Sequence, residues 1–412
     1  MSLLTRRAVV LAKIEGTYNI DATPSPLTDA ILVEAPDFMG DFTILARDYA
    51  RVDLSPLPNA TGRKLAKLTF TTELRGNGKQ NSGNSADAPI ITRLFAASGY
   101  ALTSNAAASP SAVFEVGDDV NPVSWTTSGA LTNTDVIAYY ITCTTAGASA
   151  AAKVTVTSDT VGESAVAATI TSGTAMAIGT KGLSLNPTFT GSLQLGQSWV
   201  VWLYPPGSVL APVSSNFSSL TLYCYMDGTL HAMTGSMGTF SIDAVSGQYA
   251  KVKWEFHGQY VPTSDVAMPT NAVYERTLPP QVQLARLNVN NFQATVNAMT
   301  FTQANTIQPR PDINGTDGYS GVRLTSRKPQ GGIDPEATLV ASNDFWGQMS
   351  AAQRMPFQMR VGNAAGNTVW MLAPCTQYDK LTYKDRSGLR VYDAGLHFGR
   401  VYGNDEVAFL FV

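Results

Sequence analysis

Residues that commonly carry chemistry are few in this sequence and do not cluster. Each of the three histidines stands alone in a strand-like stretch, without the short His/Cys spacing of a zinc site. The three cysteines are far apart and odd in number, so reduced thiols are expected rather than a disulfide framework. The residues concerned are His231, His257, His397, Cys143, Cys224 and Cys375.

Two Gly-rich loops resemble ligand-binding motifs only superficially. In GNGKQNSG (76–83), Lys79 is followed by Gln, whereas a P-loop requires Ser or Thr there. In PDINGTDGYSG (311–321), the glycines do not match the sixth-position glycine of an EF-hand. No Gly-x-Ser-x-Gly elbow and no carboxylate pair for acid–base work stands out. The sequence therefore predicts no catalytic residue, no metal site and no cofactor, in a protein that is not an enzyme.

The composition narrows the function classes further. Charged residues make up only 14% of the chain and the formal net charge is −3. Binding of nucleic acid by phosphate neutralisation needs basic surfaces, so this composition argues against it. No stretch reaches the roughly 18 consecutive apolar residues of a membrane span, so no membrane association is expected. The 412 residues exceed one average domain, and two or three domains are expected.

Three short patterns occur twice, in the same order along the chain. The loop PLPNATG (56–62) is echoed by PRPDING (309–315), 253 positions later. A short-helix pattern, DAPIITRLFAASG (87–99), is echoed by SNDFWGQMSAAQ (342–353) at an offset of 255, and each contains an aspartate that can cap the helix. SGQYAKVKWEFHG and SGLRVYDAGLHFG form the third pair, at an offset of 141. The repetition indicates two similar modules in tandem.

The change of offset indicates an insertion in the first module, after the helix at 87–99. Residues 104–211 hold only eight charged side chains, and runs such as VIAYYITCTT and AKVTVTSD alternate between turn residues. An insert of about 100 residues with many short strands is the size of a small β-sandwich. The predicted bounds are 1–111 and 207–270 for a discontinuous first module, 112–206 for the inserted β domain, and 271–412 for the second module.

Several phrases resemble the major tail proteins, or tail tube proteins, of long-tailed, siphovirus-type bacteriophages. They are LAKIEGTYNIDATP, SLTLYCYMDGTLHAMTGSMGTFSIDAVSGQYAKVKWEFHGQYV and LTSRKPQGGIDPEA (324–337), within a resemblance that covers roughly 1–103 and 211–412. The insert, with AKVTVTSDTVGESAVAATITSGTAMAIGTKGLSL (152–185), is similar to Ig-like β-modules that decorate phage structural proteins.

The resemblance implies a mainly β fold of two tail-tube-like β-sandwich or half-barrel modules, each with a flanking helix, plus the inserted β-sandwich. Rings in this family have sixfold geometry, so a chain with two modules implies a trimeric, pseudo-hexameric ring, with a hexamer as the alternative. Stacked rings would form a structural conduit of the virion through which DNA passes without specific binding. The implied partners are further copies of the chain, a tape measure protein, and tail terminator and tip proteins. The implied location is the virion tail, after assembly in the host cytoplasm.

The two Pro-x-Pro loops are the predicted contact residues. Proline fixes φ and removes donors, so such a stretch is stiff and excluded from central strands, and the following Asn or Asp and Gly supply a turn. We expect the loops to occupy equivalent places in the two modules and to make ring-to-ring contacts, with simple exposed turns as the open alternative. The residues singled out are Leu54, Pro56, Pro58, Asn59, Gly62, Ile307, Pro309, Pro311, Asp312 and Gly315.

A ligand-binding β-rich surface adhesin, or a receptor-binding tail protein, is the alternative from another class. Its basis is the multi-β composition and the aromatic residues of the insert, Trp125, Trp199, Trp202 and Tyr204. These residues alternate with apolar ones, so core packing is favoured over an exposed sugar platform. If the insert is only a surface decoration, deletion of residues 112–206 is expected to leave assembly intact.

Overall fold

The computed structural model describes most of the chain and is mainly β, as the sequence predicts. Two short α-helices accompany several sheets, and the main sheet forms a half-barrel. Parts of the predicted modules and of the insert lie outside the described residues: 1–5, 118–121, 164 and 316. The described residues are 6–117, 122–163, 165–315 and 317–412.

The segment before the insert contains a long hairpin followed by a short helix. Within the hairpin, the run KLAKLTF turns Leu68 and Phe70 into the main core, and Leu65 on the opposite face is buried in a smaller cluster. The bounds are β1 Ala8–Ile14, β2 Ala30–Ile31, β3 Glu34–Leu45, β4 Ala60–Glu73, a 3₁₀ turn Ser85–Asp87, α1 Ile91–Ala96 and β5 Tyr100–Asn105.

The next nine strands form two sheets of their own, one of six strands and one of three. A separate hydrophobic core that includes Tyr139, Ile141 and Trp199 lies between them, so this part of the chain is a β-sandwich. The bounds are β6 Ser109–Pro110, β7 Phe114–Val116, β8 Val123–Ser128, β9 Ile137–Thr145, β10 Lys153–Ser158, β11 Ala165–Thr169, β12 Met176–Ile178, β13 Leu183–Phe189 and β14 Ser198–Tyr204.

The remaining strands return to the main sheet, except β21 (Thr306–Pro311) and β22 (Tyr319–Ser326), which form a two-stranded sheet of their own. The strand that follows the sandwich, Gly207–Pro212, pairs with β5, the strand that precedes it, from Asn105↔Gly207 to Tyr100↔Pro212. The sandwich is therefore inserted between two neighbouring strands of the main sheet. The bounds are β15 Gly207–Pro212, β16 Leu220–Met226, β17 Thr229–Val245, β18 Lys251–Asp265, β19 Asn288–Val289, β20 Val296–Thr302, β21 Thr306–Pro311, β22 Tyr319–Ser326, β23 Gln330–Pro335, α2 Phe345–Ser350, β24 Met355–Ala364, β25 Asn367–Arg386, β26 Leu389–Gly399 and β27 Ala408–Phe411.

The main sheet contains one strand order twice. In the first half, neighbouring strands run β1-β16-β17-β18-β4-β3. In the second half they run β19-β24-β25-β26-β23-β20. Each order consists of a first strand, a three-stranded antiparallel meander, and then the two strands of a long hairpin. The chain therefore repeats one six-stranded arrangement.

The two long hairpins match residue by residue. Ile44 faces Thr61 in the first hairpin, and Ile307 faces Leu324 in the second, so both members shift by 263 positions. Nearer the hairpin base, Phe38 faces Leu68 as Phe301 faces Gly331, again with a shift of 263. The second hairpin is interrupted into two strand pairs, β20·β23 and β21·β22, but its register is the same.

This register corrects the prediction that the two Pro-x-Pro loops are equivalent. Pro56 and Pro58 precede the returning strand β4, whereas Pro309 and Pro311 lie in the outgoing strand β21. The two similar sequences, 253 positions apart, therefore lie in non-equivalent strands of the two hairpins. Their similarity is one of composition and carries no information on strand pairing. Both segments nevertheless belong to the distal parts of the two hairpins.

The two helices follow the hairpins at matching places, with first residues Ile91 and Phe345. Asp344 caps α2, because its Oδ1 accepts from the Gly347 N–H at 2.8 Å. Asp87 does not cap α1: it lies in the preceding 3₁₀ turn and accepts from Ser82 instead. The predicted cap is thus wrong for the first helix and confirmed for the second.

Candidate assembly interfaces

The two six-stranded halves are joined edge to edge by the pairing of β17 with β20. The first part of β17 pairs with β16, and its last five residues, Ser241–Val245, pair with Thr302–Ala298 in antiparallel register. β17 can serve both neighbours because it is 17 residues long. A strand edge of the first half is thereby continued by the outermost hairpin strand of the second.

This joint is part of the hydrophobic core. Ile242 faces Phe301 across it, and both side chains are buried, at 3% and 0% exposure. The Phe301 ring lies 5.8 Å from that of Phe240 and 5.5 Å from that of Phe398, measured between centroids. Both halves contribute to the same core cluster, so they form one body rather than two separate domains.

The distal part of the first hairpin presents apolar side chains to solvent. Val52 and Leu54 are fully exposed, and Ile44, Leu45 and Tyr49 are more than half exposed. Charged residues are interspersed among them in the segment ARDYARVDLS (46–55). Large apolar side chains that are this exposed are common at protein contacts.

The predicted contact residues are therefore placed unequally. Leu54, Pro56, Pro58 and Asn59 lie in the exposed connection before β4. Ile307 instead packs against Leu65, Val322 and Leu324 within the chain and is not available as a tip residue. The other residues of the second set lie at or near the distal turn, Pro309 and Pro311 exposed, Asp312 and Gly315 half-buried, as is Gly62 of the first set.

The inserted sandwich is docked on the second half of the main sheet. Arg286 donates to Asp135 at 3.2 Å and to Asp159 at 2.8 Å, and Arg360 also donates to Asp135 at 3.2 Å. Asp159 is nearly buried and accepts a further bond at 2.6 Å from Gln358. These bonds tie two carboxylates of the sandwich to three side chains of the second module.

An apolar contact lies beside this polar cluster. Trp202 and Val200 of the sandwich pack with Trp370, Leu372 and Leu410 of the main sheet, all at most 1% exposed. The Trp202 indole N–H donates to the Gln358 side-chain oxygen at 3.0 Å. The insert is therefore a packed part of the body, and the expectation that its deletion leaves assembly intact does not fit this contact.

The electrostatics of the contact follow from its burial. Burial lowers the pKa of Arg360, and the carboxylate of Asp135 opposes that shift. The guanidinium stays charged because arginine does not deprotonate in proteins. Burial, assisted by the charge of Asp159, raises the pKa of Tyr140 far above its ordinary value, so this ring remains neutral and packs as an apolar group.

The aromatic residues of the insert pack in its own core, as Trp125 and Trp199 do, or in its contact with the main sheet, as Trp202 and Tyr204 do. Trp199, Trp202 and Tyr204 are buried, and Trp125 packs edge-on against Trp199 with ring centroids 5.5 Å apart. The preference for core packing over an exposed sugar platform is confirmed for the three buried rings.

The histidines are dispersed, as the sequence predicts. His257 lies 3.0 Å from a Glu255 carboxylate oxygen, and the ring of His231 stacks on Phe38 at 4.7 Å. Among the described residues, no group of three or more His, Cys, Asp or Glu side chains is arranged to hold a metal ion. The same residues contain no helix whose length and hydropathy would let it span a membrane.

Comparison with models of known protein families finds none that matches the chain, and a search of curated proteins finds no significant match.

Proposed function

We propose that this chain is a structural subunit of a long-tailed phage virion that builds the rings of the tail tube. The observation that carries the proposal is the repeated six-stranded order, with its two copies joined side by side by strand pairing. A chain that already contains one module-to-module joint needs only further copies of itself to extend the row of modules.

The proposal accounts for three further features. Three chains would supply six modules, which gives a pseudo-hexameric ring, and a ring of six chains is the alternative. The exposed apolar tip of the first hairpin suits contact with an adjacent ring. The net charge of −3 and the low content of charged residues suit a conduit in which DNA slides without being held.

The remaining elements of the proposal come from the resemblance to tail tube proteins. The partners would be a tape measure protein inside the tube and terminator and tip proteins at its ends. The subunit would be made in the host cytoplasm and end in the virion tail. The adhesin alternative has lost one of its arguments, because the insert tryptophans Trp199 and Trp202 are buried and offer no platform.

Immunogold electron microscopy tests the function directly. Antibodies raised against the purified chain are applied to virions produced from the genome that encodes it. The proposal predicts label along the whole tail shaft. Label confined to the tail tip would favour the receptor-binding alternative, and virions without tail label would contradict the proposal.

A further inference from the structure

Two of the strand edges that have no neighbouring strand among the described residues lie at corresponding places in the two halves of the main sheet. One is the outer edge of β3 over Ala35–Met39, since β3 pairs only with β4. The other is the edge of β25 over Thr382–Arg386, where β24 has ended at Met355↔Thr376 and only β26 lies alongside. Open edges of this kind are templates for pairing with another chain.

The two edges are the counterparts of the two that are joined inside the chain. β25 corresponds to β17, because each is the middle strand of its meander and the Ser-Gly turns that follow them, at 246–247 and 387–388, are 141 positions apart. With this shift Ile242 corresponds to Tyr383, while the partner strand is one residue shorter at the turn, so that Val252 corresponds to Tyr392. β3 corresponds to β20 through the shared hairpin register described above. In the second half, β25 therefore leaves open the edge with which its counterpart β17 binds a hairpin strand. In the first half, β3 is left open, and it is the counterpart of the hairpin strand β20 that β17 binds.

The internal joint supplies a register for the open edges. Residues 241–245 of the joint correspond to 382–386, and residues 298–302 correspond to 35–39. Transferring the pairing residue by residue gives Thr382 opposite Met39, Tyr383 opposite Phe38, Lys384 opposite Asp37, Asp385 opposite Pro36 and Arg386 opposite Ala35.

The side chains at these positions fit one another. Tyr383 and Phe38 take the places of Ile242 and Phe301, which are buried in the internal joint, yet Tyr383 is 51% exposed in the single chain. Pairing would cover both rings and form an aromatic cross-strand pair. Lys384 would face Asp37, and opposite charges placed directly across antiparallel strands attract.

The edge of β3 also carries a feature that limits indiscriminate pairing. Pro36 has no N–H, so the ladder has one donor fewer than the internal joint. Ala35 has a positive φ of 45°, at a point where the β3·β4 register shifts. Proline and bulges are common means of protecting edge strands, so pairing here depends on the side chains as well as on the backbone.

We propose that copies of this chain join head to tail through β25 of one copy and β3 of the next, in the register that pairs Lys384 with Asp37. The inference rests on the proposed ring function and adds its partner surface and register. Because the internal and external joints then have one geometry, modules of the same chain and of neighbouring chains are related by the same step around the ring.

Cysteine cross-linking tests the register. In the variant Asp37→Cys/Lys384→Cys, oxidised after assembly, opposite residues have Cα atoms about 4.5–5.5 Å apart, within the range of a disulfide. Asp37→Cys/Thr382→Cys, shifted by two residues, is the matched control, and the unsubstituted chain, whose three cysteines are buried, is the background. The expected result is roughly tenfold more covalent oligomer in the first variant, because the control pair falls outside disulfide reach.

A charge exchange provides a second readout. Lys384→Asp is expected to abolish assembly by facing Asp37, and Lys384→Asp/Asp37→Lys to restore it. Lys384 also lies 3.0 Å from Asp393 within the chain, so urea denaturation of both variants must first show equal unfolding free energies. If all variants assemble and the two cysteine pairs cross-link equally, the proposed joint is wrong, but the tube function is not contradicted. An unsubstituted chain that forms neither rings nor tubes and is missing from the tail shaft would overturn the function itself.

Discussion

Phe301 and Phe38 occupy equivalent hairpin positions, one in the internal joint and one at an open edge, and their truncation separates folding from assembly. Phe301 is fully buried against Phe240 and Phe398, so Phe301→Ala is expected to cost about 3–5 kcal/mol of unfolding free energy in the single chain. Phe38 is half-buried and its ring stacks on His231, so Phe38→Ala is expected to cost about 1 kcal/mol.

Phe38→Ala is expected to weaken assembly although it changes the unfolding free energy of the single chain little. If the exposed part of the half-buried Phe38 becomes buried at a joint between copies, its loss removes about 0.7–1.5 kcal/mol of burial per joint, roughly half of the value for full burial. At 1.4 kcal/mol per tenfold, this raises the critical concentration for assembly by about 3–10-fold.

Two assays on the same protein check both numbers. Urea denaturation of the unassembled chain measures the unfolding free energy, and sedimentation over a concentration series measures the critical concentration. A Phe38→Ala chain that is strongly destabilised, or one that assembles at the unsubstituted concentration, would refute the reasoning. Ile242→Ala and Tyr383→Ala form a second matched pair with the same expected contrast.

Three further predictions concern the other contacts. Leu54→Asp is expected to leave rings intact but to prevent their stacking, because it replaces a fully exposed apolar side chain of the hairpin tip with a charged one. Electron microscopy would count rings against tubes, and full-length tubes would refute the contact. Arg286→Met is expected to lower the unfolding free energy by about 2–3 kcal/mol, because it leaves the nearly buried Asp159 without its cation. Urea denaturation measures this, and an unchanged midpoint would show that the polar cluster contributes little. Deletion of residues 112–206 is expected to give an aggregating chain, because it uncovers Trp370 and its neighbours; gel filtration checks this, and a soluble, tube-forming product would contradict the docking.

Local patterns in the sequence were sufficient for part of the fold. The short helices at 91–96 and 345–350 fall within the predicted segments. These features depend on periodicity and helix-end residues, which are local. The third echo, in β17·β18 and β25·β26, also reflects a real structural correspondence, because both are long antiparallel hairpins.

The joints could not be predicted, because they depend on long-range pairing. Nothing in Ser241–Val245 specifies that its partner is a strand some 60 residues later, and the Pro-x-Pro echo was misleading because composition does not report register. One signal of the insert dock was present. The runs SWVVWLY and NTVWMLAPCT are apolar almost throughout, and such strands are buried on both faces. The contribution of Arg286, which stands in an irregular segment, had no pattern to indicate it.

Rotational averaging of end-on electron micrographs of the assembled, purified chain is the most direct measurement of the central claim. The account predicts an open channel and a rotational power spectrum with a threefold component and a strong sixfold component. Three chains would supply six similar modules, of which three carry the insert. Compact particles without a channel, or rings in which the number of modules is not twice the number of chains, would contradict it.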